Sequence, residues 1–172
     1  MAVTANGTPY VETSDLVANY PGVSLALANH IDGLSSGVLQ VVRATDATGR
    51  ATSSGSFTDA SLSVTITPQK STSAILLLSI HRVLINSSGA PAFATFQITD
   101  SSNTAISGAE AMQFGATSSV NPRTSLVMVA YATPAVTTAV TYKVRFFMNN
   151  GTSVSLENNV NTAQMYAMEV SA

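Results

Sequence analysis

The chain of 172 residues has no cysteine, which excludes a disulfide framework and thiolate-ligated zinc. Packing and association are left as its sources of stability. Charge is scarce as well: 7 basic and 9 acidic residues make up 9% of the chain, where soluble domains carry about 25%. The few charges are spread thinly and form no run or stripe, so the counterion-release footprint of a nucleic-acid binder is missing. No apolar run is long enough to cross a bilayer as a helix. The opening Met1, Ala2, Val3, Thr4 has neither the basic region nor the apolar core of a signal peptide. The expectation is synthesis in the cytosol, with no membrane insertion and no nucleic-acid partner.

Catalytic patterns are missing too. Of the two histidines, His81 has no acidic residue or histidine two to four positions on, and His30 has only Asp32. Neither arrangement makes a metal site or a triad. The glycines sit at turns and never form a phosphate cradle, and the carboxylates are isolated in sequence, so a catalytic pair could arise only through the fold. No catalytic residue, cofactor or metal is expected, and the chain is not expected to be an enzyme. Three glycosylation sequons, at Asn6, Asn86 and Asn150, read as turn residues because nothing delivers them to that machinery.

What is present is 45% hydrophobic residues and 44 serines and threonines. Neutral hydroxyls hydrate a surface without charge, and threonine suits a pleated one. Residues 1–35 differ in texture from the rest. Ser14 is an N-cap candidate for a short helix over residues 15–20, Pro21 interrupts, and a second helix fits residues 21–31 before Gly33. Leu16, Tyr20, Val23, Leu27 and Ile31 follow spacings of four, three, four and four, one face of helical structure. That stripe packs on the chain's own β domain, bundles with copies of itself, or docks onto a larger assembly.

Residues 36–172 read as strand, turn, strand. Strands are expected over residues 38–45, 50–57, 62–67, 74–85, 92–99, 124–133, 141–149 and 163–170. Shorter ones fit 104–107, 111–114 and 152–156. Residues 50–57 are expected to return as the partner of 38–45 across the turn at Asp46 to Gly49. Asn149, Asn150 and Gly151 read as a hairpin turn, since Asn-Gly accepts positive φ. Short strands at near-regular spacing predict an all-β, antiparallel, jelly-roll-like sandwich with a short N-terminal helical segment.

A half-buried strand alternates apolar and polar, as Leu62, Val64 and Ile66 do with Ser63, Thr65 and Thr67. Three strands break this rule. Residues 74–85, 126–131 and 164–170 are apolar or aromatic on both sides, so each needs two dry faces. Leaving the second faces wet would expose a patch larger than soluble monomers tolerate. Burial against copies of the same chain removes it, and Leu77, Tyr131, Met165, Tyr166 and Met168 are the expected oligomer-interface residues. The polar interruption His81-Arg82 is expected at a strand end or interface, hydrogen-bonded to a neighbour.

Two stretches carry a resemblance. Asp15-Leu-Val-Ala-Asn-Tyr-Pro-Gly-Val-Ser-Leu-Ala-Leu-Ala-Asn-His-Ile-Asp32 resembles the N-terminal segments of bacteriophage tail and fibre proteins. Ala163-Gln-Met-Tyr-Ala-Met-Glu-Val-Ser-Ala172 resembles the closing strand of their globular heads, which look like trimeric jelly rolls of the C1q and tumour-necrosis-factor type. The resemblance implies a homotrimer in the virion. Leu16, Tyr20, Val23, Leu27 and Ile31 would attach to other virion proteins, and Met165, Tyr166 and Met168 would line the trimer core. No shaft separates the two parts, which points to a short spike, a tail-tip module or a capsid decoration protein. Polar loops at residues 101–104 and 115–122 suit a host-surface glycan. A carbohydrate-binding β domain outside any virion is the rival reading.

Overall fold

The computed structural model describes residues 2–3, 9–10, 24–25, 37–87, 91–116 and 121–171. The chain divides into two compact units, Met1–Gly37 and Val38–Ala172. In the first, β1 (Ala2–Val3) pairs antiparallel with β2 (Pro9–Tyr10). Ser24 and Leu25 are helical. The rest of both expected helices, with Leu16, Tyr20, Val23, Leu27 and Ile31, lies outside the described residues.

The second unit is built of β3 (Val38–Asp46), β4 (Arg50–Thr52), β5 (Thr58–Ile66), β6 (Ala74–Asn86), β7 (Ala92–Asp100), β8 (Met112–Ala116), β9 (Arg123–Ala132), β10 (Val140–Asn150), β11 (Ser153–Leu156) and β12 (Ala163–Val170). One sheet has the order β5-β10-β7-β8. In the other, β6 is central: β9 runs along one edge, and β12 and β11 lie end to end along the other. Beyond them lie β3 and β4, also end to end.

Taking β3 with β4 and β11 with β12 as single bent arms leaves eight arms. In chain order these give one sheet as first, eighth, third, sixth and the other as second, seventh, fourth, fifth. That is the jelly roll, two interleaved Greek keys folded into an antiparallel sandwich.

The inward rows follow from strand alternation. Leu62, Val64 and Ile66 of β5 and Val144, Phe146 and Met148 of β10 face Ile75, Leu77, Val83 and Ile85 of β6 across the core. Phe96 stacks on Phe146 with ring centroids 6.3 Å apart and planes within 8°. These rings fill the middle, so the opposite sheet contributes small inward residues, Ala130, Ala132, Ala163 and Ala167.

Three local expectations are corrected by the pairing. Residues 50–57 do not return along the first strand: β4 stops at Thr52 and pairs with β11. Its continuation becomes turns, the Thr52 hydroxyl accepting the Ser54 N–H and the Ser54 hydroxyl accepting the Ser56 N–H. Residues 104–107 form no strand, only a bridge between Ala105 and Thr99, because the Asp100 carboxylate folds the chain into turns by accepting the Ser102 and Thr104 N–H groups. Asn149 to Gly151 is a sharp turn with Gly151 at φ +126°, yet it carries the chain from one sheet to the other. β10 and β11 are not hairpin partners, since β11 pairs with β4 and β6.

Candidate functional site

The three two-sided strands prove to be neighbours. β6 carries β9 on one edge and β12 on the other, so their second faces merge into one outer sheet surface. Register sets its rows, because directly opposed residues of an antiparallel pair share a face. One row reads Val41, Met168, Leu76, Tyr131; the next Arg43, Tyr166, Leu78, Val129; the third Thr45, Gln164, Ile80, Val127. Nine of these twelve side chains are apolar or aromatic.

Exposure follows position in the grid. Leu76, Leu78, Ile80, Tyr166 and Met168 in the middle are half-covered by their neighbours. On the flanks Val41, Val127, Val129 and Tyr131 are 55%, 46%, 48% and 54% exposed. With strands about 4.8 Å apart and same-face residues about 6.8 Å apart, the grid projects about 400 Å². That lies within the about 300–600 Å² of the largest patch on a soluble monomer, a size that often marks a functional surface.

The surface has little polar decoration. Arg43 lies over the Tyr166 ring at 5.9 Å from its centroid, and the Tyr166 hydroxyl donates to Gln164 Oε1 at 2.6 Å. A charged rim closes one end. Arg82 donates to Glu157 at 2.9 Å and Arg123 at 3.3 Å. Burial alone would raise the Glu157 carboxyl, but these two guanidinium groups outweigh it and hold it below the usual range.

Placement divides the expected interface residues. Tyr131, Tyr166 and Met168 stand on the outer face. Leu77 and Met165 are wholly covered inside the sandwich, so those two are core residues rather than contacts for another chain. Periodicity missed this because β6 is apolar on both sides and β12 nearly so. The outward residues it passed over, Leu76, Leu78 and Val129, are legible only once the partner strands fix which side is inward.

Just past the grid, β3 passes to β4 and β11 to β12 through excursions at residues 47–49 and 157–162. Both leave the sheet at the level of His81 and Arg82, with Glu157 N–H bonding to the Arg82 carbonyl. A polar cluster lies there. Asn158 donates to Asp46 Oδ2 at 3.1 Å, and Arg50 approaches the same oxygen at 3.3 Å. Burial by itself would raise the Asp46 carboxyl, but bonds from the Thr48 N–H and Asn158 and the Arg50 charge together lower it.

His81 corrects the expectation for the His-Arg pair. It sits within β6, facing inward with no exposure, while Arg82 faces outward. Among the described residues neither ring nitrogen meets a partner in hydrogen-bond geometry, nor does the Ser79 hydroxyl on the same inward row. Burial pulls the imidazole down to about 4, against smaller upward pulls from the nearby Asn158 side chain and the Asp46 charge. The ring is therefore neutral at neutral pH.

At the opposite end Glu169 is fully covered. It accepts bonds from Gln40 Nε2 at 2.5 Å, the Gln69 N–H at 2.7 Å and the Lys70 N–H at 3.2 Å. Burial would raise this carboxyl, yet the donors together lower it. A charged group tied into structural bonds in this way fastens the β5–β6 connection to β12. Among the described residues no group of three His, Asp or Glu side chains is placed to hold a metal ion.

No protein-family model matches the chain, and no curated protein matches it. Solved structures similar to it include the VP2 subviral particle of infectious bursal disease virus, at 17% identity and a TM-score of 0.36 over 77% of this chain and 38% of that one. Another is the structure of the Gx strain of infectious bursal disease virus, at 16% identity and 0.33 over 77% of this chain and 37% of that one. A third is the xylan-binding domain CBM22-1 of Xyn10C from Paenibacillus barcinonensis, at 8% identity and 0.33 over 80% of this chain and 97% of that one. The chain thus spans well under half of the two viral chains it matches. The jelly-roll assignment rests on the strand order of the two sheets.

Proposed function

We propose that this chain is a non-catalytic structural protein of a bacteriophage virion that works as a homo-oligomer, with copies packed through the outer face of the sheet centred on β6. The observation that carries the reading is the three-row apolar grid from Val41 to Tyr131. The second copy is the occupant that fits it. A surface so poor in charge offers nothing for a partner of opposite charge to recognise, while its neutrality suits contact with itself. Covering it is worth about 25 cal/mol per Å², and two such grids bury about 800 Å², so an interface of the standard size of about 1,200 Å² or more extends past the grid.

A trimer is the finer form of the proposal. It draws on the resemblance of the closing strand to trimeric heads and on that strand's place in the grid. The virion setting draws on the same resemblance, together with a surface that is hydroxylated rather than charged. A short spike or tail-associated head is the first form and a capsid decoration protein the second.

Gold-labelled antibody on particles from the producing cells tests the setting. Label on the tail supports the spike, label on the shell supports decoration, and particles that carry no label contradict both.

A further inference from the structure

β7 ends at Asp100 and β9 at Ala132, and the connections that follow them meet beside the start of β10. Between them opens a cleft of about 590 Å³, within the range of about 300–1,000 Å³ typical of small-molecule sites. Its lining is unusual for what it omits: no lysine, arginine or histidine is among the described residues around it. Hydroxyls of Ser101, Ser107, Thr133 and Thr138 line it instead, with Pro134 and Val136 as an apolar wall.

Asp100 supplies the single carboxylate. Its Oδ1 accepts the Ser102 and Thr104 N–H groups, both at 2.8 Å. These bonds fix the carboxylate in place through Oδ1. Tyr142 lines the floor with its ring almost wholly covered. Burial first, and then the Asp100 charge, raise its phenol, so the hydroxyl stays a neutral donor beside an anionic acceptor.

A ligand for this lining must offer several hydroxyls to one carboxylate and a ring of neutral groups, and an apolar edge to Val136 and Pro134. An anionic ligand would meet Asp100 with no cation to offset it. We infer that the cleft binds one neutral sugar residue, with Asp100 accepting its hydroxyls and the side chains of Ser101, Thr133 and Thr138 completing the contacts. That this sugar belongs to a host-surface glycan rests on the virion reading; the binding itself does not.

The test is ligand-observed saturation-transfer NMR on the purified full chain. The probes are the methyl glycosides of glucose, galactose, mannose and N-acetylglucosamine, with the methyl glycoside of N-acetylneuraminic acid as the acidic comparator. At least one neutral glycoside should bind saturably, about tenfold or more tighter than the acidic probe. Val136→Trp fills the cleft from a loop position 36% exposed and should abolish binding. Asp100→Asn keeps the oxygen that caps the turn and should weaken binding about tenfold. Melting temperature and solution mass should be unchanged in both. Absence of binding by every neutral glycoside at millimolar concentration, or binding that survives Val136→Trp, overturns the inference. Tyr131 borders both the cleft and the grid, so the assembly reading is decided separately, by mass and by particle labelling.

Discussion

The two outward sheet faces of the sandwich are made by the same alternation and end up opposite in character. On the sheet of β5, β10, β7 and β8 the outward rows hold Ser63 opposite Lys143 and Thr99, Asp59 opposite Arg145 and Gln97, and Thr65 opposite Thr141. They bond among themselves: Lys143 approaches Asp59 at 3.5 Å, Thr65 and Thr141 hydroxyls meet at 2.8 Å, and Arg145 donates to the Phe57 carbonyl at 2.8 Å. On the other sheet the same outward positions hold leucine, isoleucine, valine, methionine and tyrosine. The first face carries polar side chains, open to water on β5 and covered on β7, where Gln97 and Thr99 are buried. The other is finished only when something apolar covers it, and this contrast is the physical basis for assembly.

The largest effect that would break the comparison is a charge placed on each face in turn. Val129→Asp puts a carboxylate at a half-exposed site in the grid, where an interface would have to desolvate it. It should convert the oligomer to single chains in sedimentation while the melting of the β unit is retained. Ser63→Asp on the polar face should leave the mass as it was. Equal responses from the two variants would abolish the distinction.

Within a single strand the contrast sharpens. Met165→Ala removes a fully buried side chain and should cost about 2–5 kcal/mol in denaturant unfolding. Met168→Ala, on the outer side of β12, should cost much less for the dissociated chain and show its loss chiefly in the association constant. Chemical denaturation measured above and below the dissociation concentration separates the two.

Acid offers a smaller and graded test. His81 titrates near 4 in the folded chain against an ordinary 6.5, so below 6.5 the unfolded chain takes up a proton that the folded chain refuses. Its contribution to stability is complete above pH 6.5, falls steadily toward pH 4, and by then has lost about 3 kcal/mol. His81→Leu should flatten this stretch of the stability profile. A profile as steep as that of the parent would mean that other groups carry it.

The smallest effect concerns the bulge in β5 on the polar face, where Ser61 holds φ +57°. Ser61→Gly relieves a left-handed residue but adds chain entropy to the unfolded state. A net gain of about 0.5 kcal/mol or less is expected in thermal melts.

Much of this fold could be read from the sequence because local alternation is a local property. Leu62 to Thr67 declared its two faces, and residues 163–170 marked out β12 to the residue. Pairing was harder to read. The turn chemistry at Asn149 to Gly151 says that the chain reverses, while the sheet it enters depends on where Val154 and Leu156 find a core.

The site was half legible for a related reason. Two-sided apolar strands announce a second buried face, but on β9 the outward Val127, Val129 and Tyr131 are bulkier than the inward Ala130 and Ala132. Size therefore misleads about direction on β9, while on β6 leucines of equal size stand on both sides. The cleft was invisible, because residues 100–107 and 131–142 share it only through the fold.

Light scattering on the purified chain at micromolar concentration bears most directly on whether the grid is covered by copies of the chain. One chain weighs 17.7 kDa, and a closed oligomer of about 35 kDa or more is predicted, with about 53 kDa marking the trimer proposed from the resemblance. A stable species of 17.7 kDa across that range would contradict it.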